Sequence, residues 1–330
     1  MSGYAKPWMS VDDQLNQLTR RGLAITDRTL ALNYLSRIGY YRLSGYWYAF
    51  RERSGALVLL DRGQKPQKLK VTTVTLDEFK VGATFQNAVD LYVFDKKLRL
   101  LTLDALERIE VGLRVDIAYC LGARDAFAYL RPELLHGDFS SKLDPRTGLS
   151  RHHDWLGHQS KLIARSKEDF IRHCKDKYGL PLPIWIAAEV WDFGTMSTLY
   201  SGLQESDQDA IAAKYGLSNG RVFSSWLRSL NYLRNVCAHH SRLWNRNIVD
   251  QPKLPYLAEA PWVQPFIGNV HALARCYLLL RITRHLLDVV NPRSTWSQRI
   301  KAHLLSFPEL SHLGLNIAGM GAQPGWEADW

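Results

Sequence analysis

Apolar positions along the chain recur mostly at spacings of three and four, the mark of helices that bury one face. The clearest run is Leu91–Leu121, where Leu91, Phe94, Leu98, Leu101, Ala105, Ile109, Leu113 and Ile117 fall in register. Within it Asp95/Arg99 and Glu110/Arg114 stand four apart, spaced as ion pairs across one turn. Upstream, Ser10 followed by Asp12 and Asp13 predicts a capped helix carrying Leu15 and Leu18 and stopping at Gly22. Thr26 and Asp27 cap a second, short helix through about Ser36. Ile38–Phe50 holds five Tyr/Trp and two glycines and reads as a turn and aromatic packing segment. Residues 53–86 suit strands or an irregular loop, through the alternation of Val71, Val74 and Leu76, and residues 123–160 read as loop-rich. Helices are expected at Ser160–Tyr178, Ile184–Asp192, Ser206–Tyr215, Arg221–Arg246 and Val270–Val290, with a proline-bearing linker or crossover at Gln251–Pro265. The sum is mostly α, in three parts: a helical and irregular segment (1–86), a helical domain (87–290) and a peripheral tail (291–330).

Composition narrows the class. Of 330 residues, 46% are hydrophobic and 22% charged, which excludes disorder as the main state. No apolar run approaches the ~18–20 residues of a membrane span, and the N-terminus has no apolar stretch of secretory type. The four cysteines lie 54, 63 and 39 residues apart, with no CxxC pair. That argues against a zinc ribbon or a disulfide scaffold and fits a reducing, cytoplasmic setting with no cofactor or metal.

Charge adds a further feature. The net charge is +10, and between Asp209 and Asp250 there is no acid, while Lys214, Arg221, Arg228, Arg234, Arg242 and Arg246 all fall there. Such a stretch suits a polyanion surface; a solvated helix face is the plainer reading. Taken as one helix at about 100° per residue from Asn231, it sets Arg221, Arg228, Asn235 and Arg242 on one drifting stripe at about 80° to 20°. His239 joins that side near 80°, whereas His240 falls near 180°, amid a stripe facing the core, as a packing or capping residue. An Arg, an Asn and a His on one acid-free face suit metal-free cleavage of RNA. Histidine exchanges protons near neutrality, and a guanidinium stabilises the developing phosphorane oxygens. Arg234 and His239 stand about 140° apart, so they would flank a phosphate, and a helix break or a second chain would be needed to close the site.

Here a family resemblance enters. Leu230–Arg246 (LNYLRNVCAHHSRLWNR) resembles the Rx4–6H segment of HEPN-superfamily ribonucleases, in the form found in Abi-family abortive-infection proteins (AbiD/AbiF-like). Three further segments match in order: Gly39–Tyr46 after Arg21–Leu23, Leu91–Arg114, and Pro183–Gly194. The resemblance implies an all-helical HEPN-like core, antiphage defence, and ribonuclease or RNA-binding activity, with two copies pairing so that two motifs share a cleft. It assigns Arg234 and His239 as the motif Arg and His, with Asn235 as the polar residue after the Arg.

Other residues carry secondary expectations. Glu110/Arg114 is a helix ion pair or a supporting pair near the motif, and Glu189, in an apolar run, is placed to orient Arg234. Arg221, Arg228, Arg242 and Arg246, with Arg42 among the aromatics of Tyr40–Tyr48, are the candidate RNA contacts. His152, His153, Asp154 and His158 have metal-ligand residue types, but sit in what reads as a glycine-rich loop. Three functions thus stand: an endoribonuclease toxin, a non-catalytic protein holding a cognate small non-coding RNA, and a DNA-binding regulator using residues 10–36 as a helix-turn-helix.

Overall fold

A computed structural model describes residues 7–60 and 69–330, and the chain is mostly α, as the periodicity predicts. Compact packing divides it into two units: residues up to Lys97 with His303–Gly319, and Leu98–Ala302 with Met320–Trp330.

The first unit opens with α1 (Val11–Arg20), whose N-terminal amides are capped by Ser10, its hydroxyl accepting from the N–H of Asp13 at 3.1 Å. Asp27 caps α2 (Arg28–Ile38) in the same way, accepting from Leu30 N–H at 2.9 Å. The aromatic segment that follows is more regular than expected. After Gly39, whose φ of 91° turns the chain, Tyr40–Trp47 forms α3. Its helical period is hidden because aromatics occupy both faces: Leu43, Tyr46 and Trp47 are buried, while Tyr41 and Tyr48 are exposed. The buried Tyr46 hydroxyl donates to the buried Asp95 carboxyl at 2.7 Å. Strands β1 (Arg51–Arg53) and β4 (Thr75–Phe79) pair antiparallel, as do β2 (Leu57–Leu60) and β3 (Leu69–Thr72), in the region expected to hold strands. The ring of His303 stacks on Phe94 at 4.4 Å, and its Nε2 lies 2.9 Å from the Phe94 carbonyl.

The helix α4 (Phe85–Gly122), long as predicted, contributes its residues from Leu98 onward to the second unit. There follow α5 (Gly137–Ser140), α6 (Arg151–Arg165), α7 (Asp169–Tyr178), α8 (Ile184–Ala187), α9 (Phe193–Ser201), α10 (Glu205–Lys214) and α11 (Gly220–Ala238). Then come α12 (Val270–Leu273), α13 (Cys276–Val290), α14 (Trp296–Leu305) and α15 (Trp326–Asp329). Five expectations change, the first being the helix expected over Ile184–Asp192, which is α8 and a 3-10 turn ending at Val190. The loop-rich region ends at Ser150, whose hydroxyl caps α6, so that the histidine cluster is helical. The helix expected over Ser160–Tyr178 is two helices, broken at Ser166 and Glu168, both of extended backbone. The helix expected over Val270–Val290 breaks at Ala274 and Arg275. The tail is not peripheral: Trp296, Ile300 and Trp326 are buried, and Trp296 Nε1 donates to the Leu101 carbonyl at 2.6 Å. Large apolar side chains in a segment that sequence position makes look terminal are worth roughly 1.5–3 kcal/mol each when buried, enough to hold it down.

One histidine in each unit ties stability to pH. His152 is buried with Nε2 2.8 Å from the Tyr129 carbonyl. Burial pushes His152 and His303 below the ordinary histidine value; the Tyr129 and Phe94 carbonyls oppose this only in part, and the charges of His153 and Lys97 add to it. The native chain therefore binds fewer protons than the unfolded one, and this stability is complete above a pH of about 6.5 and declines as pH falls below it. The melting temperature should drop between about pH 7 and pH 5.5, and the drop should flatten in the His152→Gln/His303→Gln double variant. An equal pH slope in that variant would show that other groups govern the acid limb.

Candidate active site

The candidate residues are positioned by α11. Asn219 caps its start, accepting from the N–H groups of Arg221 at 2.9 Å and Val222 at 3.2 Å. Gly220 allows a close crossing with α10: a Cβ there would meet Gln208 Cβ at 2.5 Å. Phe223, Trp226, Leu227, Leu230, Leu233, Val236 and Cys237 are buried, and α11 packs against α9, α10 and α13. With that stripe turned inward, Asn231, Arg234 and Asn235 face a cavity of about 490 Å³.

The helix does not run to Arg246. It closes at Ala238, with His239 as its C-cap and His240 at φ 56°, the one described non-glycine residue of positive φ. The N–H of Ser241 returns to the Val236 carbonyl at 3.0 Å and that of His240 to the Cys237 carbonyl at 3.1 Å. This pair of bonds is a Schellman closure, with a histidine where glycine is the usual choice. The single-helix wheel therefore fails beyond residue 238. His239 and His240 are both exposed, and His240 serves as a cap rather than as a core residue. His239 is not among the residues lining the cavity that holds Arg234 and Asn235.

The supporting acids take definite places. Arg114 reaches Glu110 and Glu189 at 3.4 Å each and donates to the Trp191 carbonyl at 3.1 Å. Glu189 thus orients Arg114, where the sequence had assigned it to Arg234. Burial raises the Glu110 carboxyl above its ordinary value, and the opposing charges of Arg234 and Arg114 do not fully compensate. Arg234 also lines a second cleft, of about 580 Å³, with Glu107, Glu110 and Arg114. Its guanidinium lies 3.4 Å from the Asn235 side-chain oxygen.

The basic stripe is less bare than its sequence. Arg221 pairs with Glu205, and Arg228 lies 3.9 Å from Asp250, so acids at and just beyond the two ends of the acid-free stretch fold back onto it. Arg246 donates to the Tyr232 hydroxyl at 2.8 Å and lies over that ring. Arg242 is half-buried just past the helix, and Arg42 is exposed on α3 in the other unit. Arg221 and Arg228 do converge, with Arg151 and Lys253, on a depression of about 450 Å³ that also holds Asp138 and Glu205. Arg151 lines both this depression and the Arg234 cavity.

Of the charged residues lining the cavity, Arg151 and Asp192 were not anticipated, and Asp154 and His158 had been considered only as metal-ligand types. His152 and His153 turn to the Tyr129 carbonyl and the Ser150 hydroxyl, whereas Asp154 and His158 line the Arg234 cavity. Among the described residues no group of three or more His, Cys, Asp or Glu is placed to hold a metal ion. Asp192 was legible as a cap, since an Asp three residues before Thr195 at the start of an apolar helix is a start signal.

Against this geometry, residues 33–245 match the family described as Abi-like protein, well over half of the chain, so the chain belongs to that family and is an Abi-family abortive-infection protein. The match spans α11 and the cavity residues. No curated protein and no solved structure matches the chain. No helix among the described residues is long and apolar enough to cross a membrane.

The cap yields a direct test. A left-handed conformation costs a residue with a side chain roughly 1–2 kcal/mol, most for β-branched ones. Glycine bears none of this cost and valine the most of it, so His240→Val should lower stability more than His240→Gly does. Equal destabilisation by both would show that the His240 side chain, not its backbone, holds the turn.

Proposed function

We propose that this protein exerts its abortive-infection role on RNA, as a metal-independent endoribonuclease built on Arg234, Asn235 and His239. The observation that carries the reading is the position of Arg234. Its guanidinium acts on the carboxyls of both Glu110 and Asp192 while lining an open cavity beside Asn231 and Asn235. A cation fixed in this way, with amides beside it, suits the developing charge of a phosphorane, because little reorganisation is needed as the reaction proceeds. His239 stands at the C-cap of the same helix, one turn beyond, as the proton-transfer group. A second copy set against the first would bring another His239 to this face, so the reading includes a homodimer. The depression of Arg151, Arg221, Arg228 and Lys253 provides a path for the strand leading into the cavity. That depression also supports the second reading, a protein that holds a cognate small non-coding RNA without turning it over.

Labelled RNA incubated in EDTA separates the two. Wild type should cleave, and His239→Ala should lose about 10²–10⁴-fold while keeping its melting temperature. Retention of RNA without cleavage by wild type would favour the holding role. Sedimentation of an active preparation should give a dimer at micromolar concentration, and an active monomer would remove the pairing from the reading.

Affinity tests the path itself. Four phosphate contacts at about −0.7 each predict a slope of log affinity against log salt near −3 for a single strand. Arg228→Ala and Lys253→Ala should each make it shallower by about 0.7, alike for all sequences. A slope untouched in the double variant would place the RNA elsewhere on the protein.

A further inference from the structure

We propose that His158 is a catalytic residue, the general base of the Arg234 cavity, with Asp192 as its positioning residue; this rests on the nuclease reading above. Asp192 joins three elements. Its Oδ1 accepts from the N–H and hydroxyl of Thr195, both at 2.8 Å, capping α9. Its Oδ2 lies 3.8 Å from His158 Nε2. Burial works against its ionisation, but the two Thr195 bonds, then the charges of His158 and Arg234, more than offset this and hold the carboxyl below its ordinary value. An ionised oxygen fixed by a helix cap therefore faces one nitrogen of the imidazole. With its proton on Nε2, toward that oxygen, the imidazole has Nδ1 as the acceptor, the arrangement by which a carboxylate orients a histidine base. The separation is longer than a hydrogen bond, as is common in sites without substrate.

The surroundings of His158 fit that role. On its own helix α6, Asp154 and Arg151 line the same cavity; from the start of α9 comes Asp192, and from α11 come Arg234, Asn231 and Asn235. The indole of Trp155 anchors this stretch of α6 by donating to the Thr195 carbonyl at 2.9 Å, tying the histidine's helix to the turn that carries Asp192. His158 itself is half exposed, its side chain at 55%, so a strand can reach it. Proton acceptor, phosphate-holding guanidinium and orienting amides thus share one cavity, which His239 does not line.

The step balances without metal or oxidant. The ribose 2′-hydroxyl gives its proton to Nδ1 of His158 as the 2′-oxygen bonds to phosphorus, with the phosphate held by Arg234. The bond from phosphorus to the 5′-oxygen breaks, and that oxygen leaves with a proton given by the His239 that the second copy of the proposed dimer brings to this face. The products are a 2′,3′-cyclic phosphate and a 5′-hydroxyl end; His158 then returns its proton to water and His239 takes one back from water.

Wild type, His239→Ala, His158→Ala and Asp192→Asn are compared on labelled single-stranded RNA in EDTA, with and without added imidazole. His158→Ala should lose about 10²–10⁴-fold, and free imidazole entering the space left by the side chain should restore part of the rate. Asp192→Asn should lose activity at a melting temperature near wild type, because Asn caps helices as well as Asp does. Wild-type rates in His158→Ala beside an inactive His239→Ala would overturn this assignment and leave the nuclease reading standing. A loss that imidazole does not relieve would overturn the proton-transfer role. If wild type itself cleaves nothing, the nuclease reading fails, and this proposal with it.

Discussion

Along α11, Phe223, Trp226, Leu227, Leu230, Leu233, Val236 and Cys237 are buried on one face, and the rest of the site depends on that burial. Each large apolar side chain contributes roughly 1.5–3 kcal/mol on leaving water, so the stripe as a whole outweighs any ion pair that Arg234 makes. Rotating the helix to improve a salt bridge would expose this surface and cost far more than it returned. Arg234 and Asn235 therefore face their cavity because the apolar stripe leaves them no other direction. The acids on α4 and at the start of α9 meet a guanidinium already in place.

The same comparison of magnitudes bears on the arginines further along. Arg221 and Arg228 line the exposed depression and pair with Glu205 and Asp250, and exposed pairs of this kind are worth roughly 0–1 kcal/mol. An incoming phosphate can displace a carboxylate at that small cost. Arg114 differs. Held by Glu110, Glu189 and the Trp191 carbonyl and mostly buried, it would leave unpaired charge behind if moved, which makes it a fixed part of the scaffold behind Arg234.

Much was legible in the sequence. Helical periodicity gave the mostly α class and α4, the caps at Ser10 and Asp27 gave the first two helices, and ordered motifs gave the Abi family. Local patterns specify these features because they arise within a few residues of chain. Helix breaks were read less well. The end of α11 at Ala238 has no glycine to announce it, since His240 takes the left-handed position, and the wheel gave His239, His240 and Arg242 a wrong geometry beyond it.

What the tertiary structure alone decided is which distant residues meet. An acid-free stretch of sequence fixed where the arginines lie, but Glu205 and Asp250 reach it through folding, since charge pairs in space and not along the chain. His158 and Arg234 are 76 positions apart, and Asp192 lies between them in sequence. No spacing rule connects the three. They share a cavity because α6, the capped start of α9 and α11 each bury an apolar side there, Trp155, Phe193 and Leu230 among them, and turn their polar residues to the space left between.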